Sequence, residues 1–313
     1  MRRKFTIAGM FGLSLSGLAQ PRDGEPAPAS SFGLTFYDAG RALKNEQKLV
    51  VFPPGTEPLT IPLPFGLGYS SISPDGNALY GQRFFDPTGP NSGLYKIEFG
   101  PTRSSPVAGS KGLSSVYGIA VSRNKIVVSA GYLNTAGLLD QKSCGIYELT
   151  FASGKVRKIL SNADCEYPSF WHSLSLSPDG EQLVAIRERR LTLVNLATGA
   201  IRSLGDEFFD AAWSPNGLWI AALEYGGRRR TILFETSGFE RRRALPSSET
   251  IWSPDSRYLV AVGQTSRCGG NTGTIQLIDI ESSERSTIRG TECKISHTLE
   301  GWISISAFGN ERK

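Results

Sequence analysis

Histidine is all but missing from this chain, with His172 and His297 the only two in 313 residues, and cysteine stops at four. So few imidazoles leave little for histidine-based acid–base or metal chemistry. The motifs that build such sites are missing as well: the sequence has no Gly-x-Ser-x-Gly elbow, no His-Glu-x-x-His and no Cys-x-x-Cys. Beyond the N-terminus no apolar run approaches the ~20 residues of a membrane span. Apolar residues at helical spacing are scarce too, which argues against a helical solenoid. What remains are short alternating segments bounded by Gly, Pro, Asn and Asp, the pattern of strands and turns.

At the N-terminus, Arg2, Arg3 and Lys4 precede a weakly apolar stretch from Phe5 to Leu18, with small Gly17 and Ala19 at its end. This is the arrangement of a secretory signal cleaved after Ala19. The alternative is a membrane anchor, but the stretch is short for a span and diluted by glycine and serine. Residues 20–30, QPRDGEPAPAS, then read as a flexible leader and 31–313 as one folded domain. Without the three N-terminal cations, 34 basic residues become 31 against 29 acidic, and a formal net charge of +5 falls to +2. The basicity belongs largely to the export signal, so nucleic acid is not an expected partner. The expected location is periplasmic or extracellular, with no membrane span in the mature chain.

The strongest signal is internal repetition. YSSISPDG, SLSLSPDG, AAWSPNG and TIWSPDS carry Ser73, Ser177, Ser214 and Ser253, each between apolar stretches. Proline presets φ at the first central turn position, Asp or Asn suits the second and glycine releases the chain, so each copy is a β-hairpin turn. Ser122 with Arg123 and Asn124, and Ser306 with Ala307, are degenerate copies. Six motif serines at intervals of 37 to 55 residues match the blade spacing of a propeller. The expected fold is all-β: a six-bladed β-propeller of four-stranded antiparallel blades, strands A to D running outward from the motif strand. The last motif strand has no partners downstream, whereas GLTFYDAG from Gly33 and the hairpin from Lys48 lack one upstream. The ring therefore closes by joining a C-terminal strand A to N-terminal strands B–D, which removes an exposed edge.

These turns, with Trp213 and Trp252 in the Trp-Ser-Pro-Asp pattern, resemble the repeats of TolB-like, WD-like β-propellers from about Phe32 to the C-terminus. The resemblance implies the fold and leaves function open, because propellers host binders and enzymes alike.

Four cysteines in an exported chain imply disulfides. Cys144–Cys165 with Cys268–Cys293 is the favoured pairing: in each, the first cysteine precedes strand C, the second follows strand D, and B–C and D–A connections share one face. Each bridge stabilises by roughly 3 kcal/mol in the chain-entropy model. A zinc site drawing on His172 and His297 is the alternative.

The same face carries the residues expected to bind a partner: Arg83, Phe85, Tyr132, Trp171, His172, Arg189, Tyr225 and Arg228, the aromatic and arginine mixture of interaction hot spots. Arg187, Arg189 and Arg190 share one B–C connection and Arg228, Arg229 and Arg230 the next, suited to carboxylate or phosphate groups. Arg241, Arg242 and Arg243 follow a C–D turn toward the opposite face. The alternative for all three groups is solvated strand residues. Asp210, Glu249 and Glu300, near inner-strand starts, are candidate oxygen ligands for a channel cation, whereas Asp75, Asp179 and Asp255 read as turn residues. No catalytic set and no cofactor are expected. The reading is a non-catalytic exported propeller that binds a protein or cell-envelope component through its B–C/D–A face. Its alternatives are a metal-dependent hydrolase or lactonase with a channel site, and a propeller that binds an anionic glycan.

Overall fold

The computed structural model describes residues 32–38, 48–52, 59–83, 92–100, 102–162, 170–226, 230–245, 250–264, 273–288 and 298–304, and all its regular elements there are strands. Each motif serine builds its turn with one hydroxyl. Ser177 Oγ donates to Asp179 and accepts the Gln182 amide at 2.9 Å, while Gly180 closes the turn at φ 73°. Ser73, Ser214 and Ser253 repeat this with Asp75, Asn216 and Asp255. Burial raises the Asp75 pKa, but the Ser73 hydroxyl and the Asn77 amide outweigh it and hold the carboxyl below its ordinary range. The motif aspartates are structural. At Ser122 the backbone bond runs to Lys125 O, three residues on instead of five, and Asn124 takes the aspartate's part at 2.9 Å. Ser256 stands at φ 62° where the Ser73, Ser177 and Ser214 copies have glycine, and its hydroxyl accepts the Asn216 amide of the neighbouring blade at 2.9 Å.

Six antiparallel sheets follow. β1 (Phe32–Asp38), β2 (Lys48–Phe52) and β3 (Leu59–Pro62) join β23 (Thr298–Ser304) in the order β23-β1-β2-β3, with Leu34 opposite Trp302. C-terminal strand A and N-terminal strands B–D thus close the ring as expected. The Ser73 blade is β4 (Leu67–Ile72), β5 (Ala78–Arg83), β6 (Leu94–Glu98) and β7 (Arg103–Pro106). The Ser122 blade is β8 (Leu113–Val121), β9 (Lys125–Leu133), β10 (Leu139–Thr150) and β11 (Val156–Ser161). The Ser177 blade is β12 (His172–Leu176), β13 (Gln182–Arg187), β14 (Arg190–Asn195) and β15 (Ile201–Gly205). The Ser214 blade is β16 (Phe208–Trp213), β17 (Trp219–Glu224), β18 (Thr231–Glu235) and β19 (Glu240–Leu245). The Ser253 blade departs from four strands. It has β20 (Tyr258–Gln264), β21 (Gly273–Asp279) and β22 (Arg285–Thr287), and a single bridge from Trp252 to Leu259 at the inner position. Ser306 lies outside the described residues.

Alternation along each strand glues blade to blade. On β9, Ile126 and Val128 pack with Tyr80 and Leu94 of the blade before, whereas Val127 packs with Leu183 and Ala185 of the blade after. Val260 and Ile275 meet Val50 of the closing blade. Outer-strand arginines form a second repeat, each reaching the C–D turn of the next blade. Arg157 donates to Leu196 O at 2.9 Å, Arg202 to Gly238 O at 3.3 Å, and Arg243 to Glu281 O and Ser283 Oγ, each at 2.6 Å.

Candidate functional site

The inner strands of four consecutive blades are bulged at the end away from the motif turn. Pairing with strand B skips between Leu67 and Ser70, Ser114 and Gly118, His172 and Ser175, and Phe208 and Asp210. A bulge leaves residues unpaired and re-aims their side chains, and here Tyr69, Tyr117 and Phe209 are among the unpaired residues. In the Ser177 blade, Phe170 and His172 stand just ahead of the bulge. The rings form a row across the blades. Tyr69 meets Tyr117 at 6.4 Å between centroids, Tyr117 stacks on Phe170 at 4.1 Å, Phe170 meets His172 at 6.0 Å and His172 meets Phe209 at 6.3 Å. Tyr69 is 50% exposed and Phe209 58%, so the row opens to solvent at both ends.

Burial pushes the His172 imidazole below its ordinary value, and the Asp210 carboxylate pulls it part of the way back. Asp210 accepts the Thr250 hydroxyl of the next blade. Farther out on this face, the Arg189 guanidinium lies 3.8 Å over the half-exposed Tyr225 ring and 3.5 Å from the Glu207 carboxylate. Beside them is a cavity of about 420 Å³ lined by Phe208, Phe234, Glu207, Glu224 and Arg241 among others. Burial acts against ionisation of Glu224, yet the Arg230 and Arg241 guanidiniums prevail and hold its carboxyl below the usual range.

Of the residues expected to bind, Arg189 and Tyr225 come together and His172 joins the row of rings. Arg83 stands opposite Leu67 at the bulged end of the Ser73 blade, its guanidinium 5.0 Å over the Phe65 ring. Tyr132 sits edge-on to Tyr147 at 5.1 Å inside the β9–β10 hairpin, where burial pushes the Tyr147 phenol up to about 12. Trp171 is buried beneath Arg187, not exposed as a hot-spot residue. Phe85 and Arg228 lie outside the described residues, as do Cys165, Cys268, Cys293 and His297; Cys144 is buried and disulfide-bonded. Among the described residues no three His, Cys, Asp or Glu side chains form a metal-holding group. Glu249 and the Glu300 side chain fall outside the description. Tyr69, Tyr117 and Phe209 escape sequence reasoning, although a signal exists: Tyr117, His172 and Phe209 each stand five residues before a motif serine, and Tyr69 four.

No family model and no curated protein matches the chain, but solved structures do. TolB from Acinetobacter baumannii superposes with a TM-score of 0.61 at 14% identity, covering 87% of this chain and 66% of that one, so the chain spans just under two thirds of that TolB's length. A chain of the nidogen/laminin complex gives 0.56 at 12% identity, over 87% and 97%. Oligogalacturonate lyase from Vibrio parahaemolyticus gives 0.54 at 12%, over 84% and 80%. At these identities the likeness is one of fold alone, a β-propeller. No helix among the described residues is long and apolar enough to cross a membrane.

Proposed function

We propose that this chain is an exported β-propeller that binds a protein or cell-envelope component on the face where its D–A and B–C connections emerge. The row of rings from Tyr69 to Phe209 carries the reading. Fold alone does not choose, since similar propellers occur in the nidogen/laminin complex and in a lyase. Rings packed against one another across neighbouring blades are ordered before any partner arrives, which lowers the entropic cost of association. Aromatic side chains near arginine are also the usual anchors of an interface. Export by residues 1–19, a leader over 20–30, and the bridges Cys144–Cys165 and Cys268–Cys293 belong to the same proposal, because an oxidising compartment sustains disulfides.

The test is capture from a cross-linked envelope extract by the mature chain and by a Tyr69→Ala/Phe209→Ala variant. Both side chains are half-exposed, so the variant is expected to keep the wild-type circular dichroism and to lose the captured partner. Equal capture by both chains refutes the rim as the binding surface. Turnover in an activity screen with no partner captured refutes binding as the function.

A further inference from the structure

We infer that the cleft between the Ser177 and Ser214 blades binds a small organic acid, a single carboxylate carried on an apolar ring. The cleft is the cavity of about 420 Å³, within the roughly 300–1,000 Å³ of small-molecule sites. Strand ends of both blades wall it. Leu204, Asp206 and Glu207 come from β15 and the connection after it, and Glu224, Phe234 and Arg241 from β17, β18 and β19. The bulge in β16 supplies the apolar lining, because it sends two successive rings to different places. Phe208, 4% exposed, meets Phe234 edge to face at 5.8 Å, while Phe209, 58% exposed, stays at the rim. Gly205, at φ 149°, lets the chain pass close to that lining, since a Cβ there would stand 3.1 Å from the Phe208 ring.

Charge selects the ligand. Around the cavity Arg190 pairs with Asp206 at 2.7 Å and Arg189 with Glu207 at 3.5 Å, one cation to one carboxylate. Glu224 has two cations: Arg241 donates to one of its oxygens at 2.9 Å and Arg230 to the other. The other acids of β18 and β19, Glu235 and Glu240, are paired with Arg242. The residues before Arg230 bring no carboxylate either, being Gly226, Gly227, Arg228 and Arg229. One positive charge is therefore in surplus, and it is reachable. Arg230 and Arg241 are half-exposed, and among the described hydrogen bonds each spends one of its five N–H groups, on Glu224. A guanidinium fork matches the two oxygens of a carboxylate. A monoanion uses the surplus in full, whereas a phosphate dianion meets repulsion from Glu207 and Glu224. The rings of Phe208 and Phe234 give the body of the ligand an apolar wall, which a bare anion would leave unused. This cavity is a second site, apart from the row of rings.

The test is isothermal titration of the purified chain, at fixed ionic strength, with sodium phenylacetate, sodium acetate, phenyl phosphate and benzylamine. Phenylacetate is expected to bind saturably at one site, acetate about tenfold more weakly or worse for want of a ring, and benzylamine not at all. Arg241→Gln is expected to lower phenylacetate affinity about tenfold or more, as a charge-assisted contact is lost. Glu207→Gln is expected to raise it by taking a carboxylate out of the wall, and this exposed position keeps the test open should Arg241→Gln fail to fold. Arg242→Gln is the control, the same charge change one residue along β19 with pairs to Glu235 and Glu240, and is expected to leave affinity unchanged. No saturable binding, acetate as tight as phenylacetate, weaker binding in Glu207→Gln, or equal losses in Arg241→Gln and Arg242→Gln overturn the site. Tighter binding of phenyl phosphate or benzylamine overturns the choice of a carboxylate.

Discussion

Replacing Ser214 by alanine measures how far the fold depends on the motif hydroxyl. Ser214 is fully buried, and its Oγ donates to Asn216 Oδ1 at 2.7 Å and accepts the Trp219 amide at 2.9 Å. Two hydrogen bonds contribute about 1 kcal/mol each, and a buried amide stripped of its acceptor costs about 1 kcal/mol more, so the expected loss is about 3 kcal/mol. Ser122→Ala is the internal standard. Its Oγ donates to Asn124 Oδ1 at 2.9 Å and weakly to Lys125 O at 3.3 Å, and no amide donates to it among the described hydrogen bonds. That substitution is expected to cost about 1 kcal/mol. Urea unfolding followed by tryptophan fluorescence reads both as midpoint shifts at unchanged slope. Hydrogen exchange adds a local check, because the Trp219 amide should lose protection. If Ser214→Ala costs no more than Ser122→Ala, the hydroxyl does not hold the turn and the argument fails.

Arg243→Ala should destabilise by about 2 kcal/mol, since charge-assisted bonds to the next blade disappear. Arg242→Ala should cost under about 1 kcal/mol, because its pairs with Glu235 and Glu240 are half-exposed; equal losses in urea titrations refute a stabilising role for the arginine contacts between blades. For His172, burial holds the folded-state pKa below 6.5, so the unfolded chain takes up its proton first as the pH falls. The stabilisation is present above pH 6.5 and is lost as the pH falls from there through the folded-state value. A stability–pH profile that stays as steep in His172→Phe across that window rules this out.

The turns are legible in the sequence because their chemistry is local: proline, an Asx residue and glycine in fixed order leave the chain few other conformations. Ring closure is legible by counting strands at the two ends. The rim is legible only as a ring four or five residues before a motif serine, because a bulge has no composition of its own and depends on how two strands register. Trp171 shows the limit. Residue type makes it a hot-spot candidate beside His172, but neighbours on a strand face opposite ways, and with His172 turned toward Phe209 the indole enters the interface behind it. The run from Arg241 to Arg243 reads as one solvated group for the same reason. Alternation and a bulge between Leu233 and Phe234 give its members different partners.

Turn and rim occupy opposite ends of the same inner strand. Ser214 and Phe209 are five residues apart, roughly 15 Å along a strand. The turn is held within its blade by the hydroxyl and Asx bonds, with the Asn216 amide also reaching Ser256 of the next blade, whereas the rim is held between blades, by ring contacts and by Ser173 Oγ donating to Phe209 O at 3.3 Å. A change of ring at the rim therefore leaves the turn's hydrogen bonds intact, and the bulge lets it do so without shifting the strand's register. That division lets a near-identical turn recur around the ring while the opposite face carries Tyr, Phe and His in different blades. Repetition at one end supplies stability, and variation at the other gives each blade its own surface chemistry.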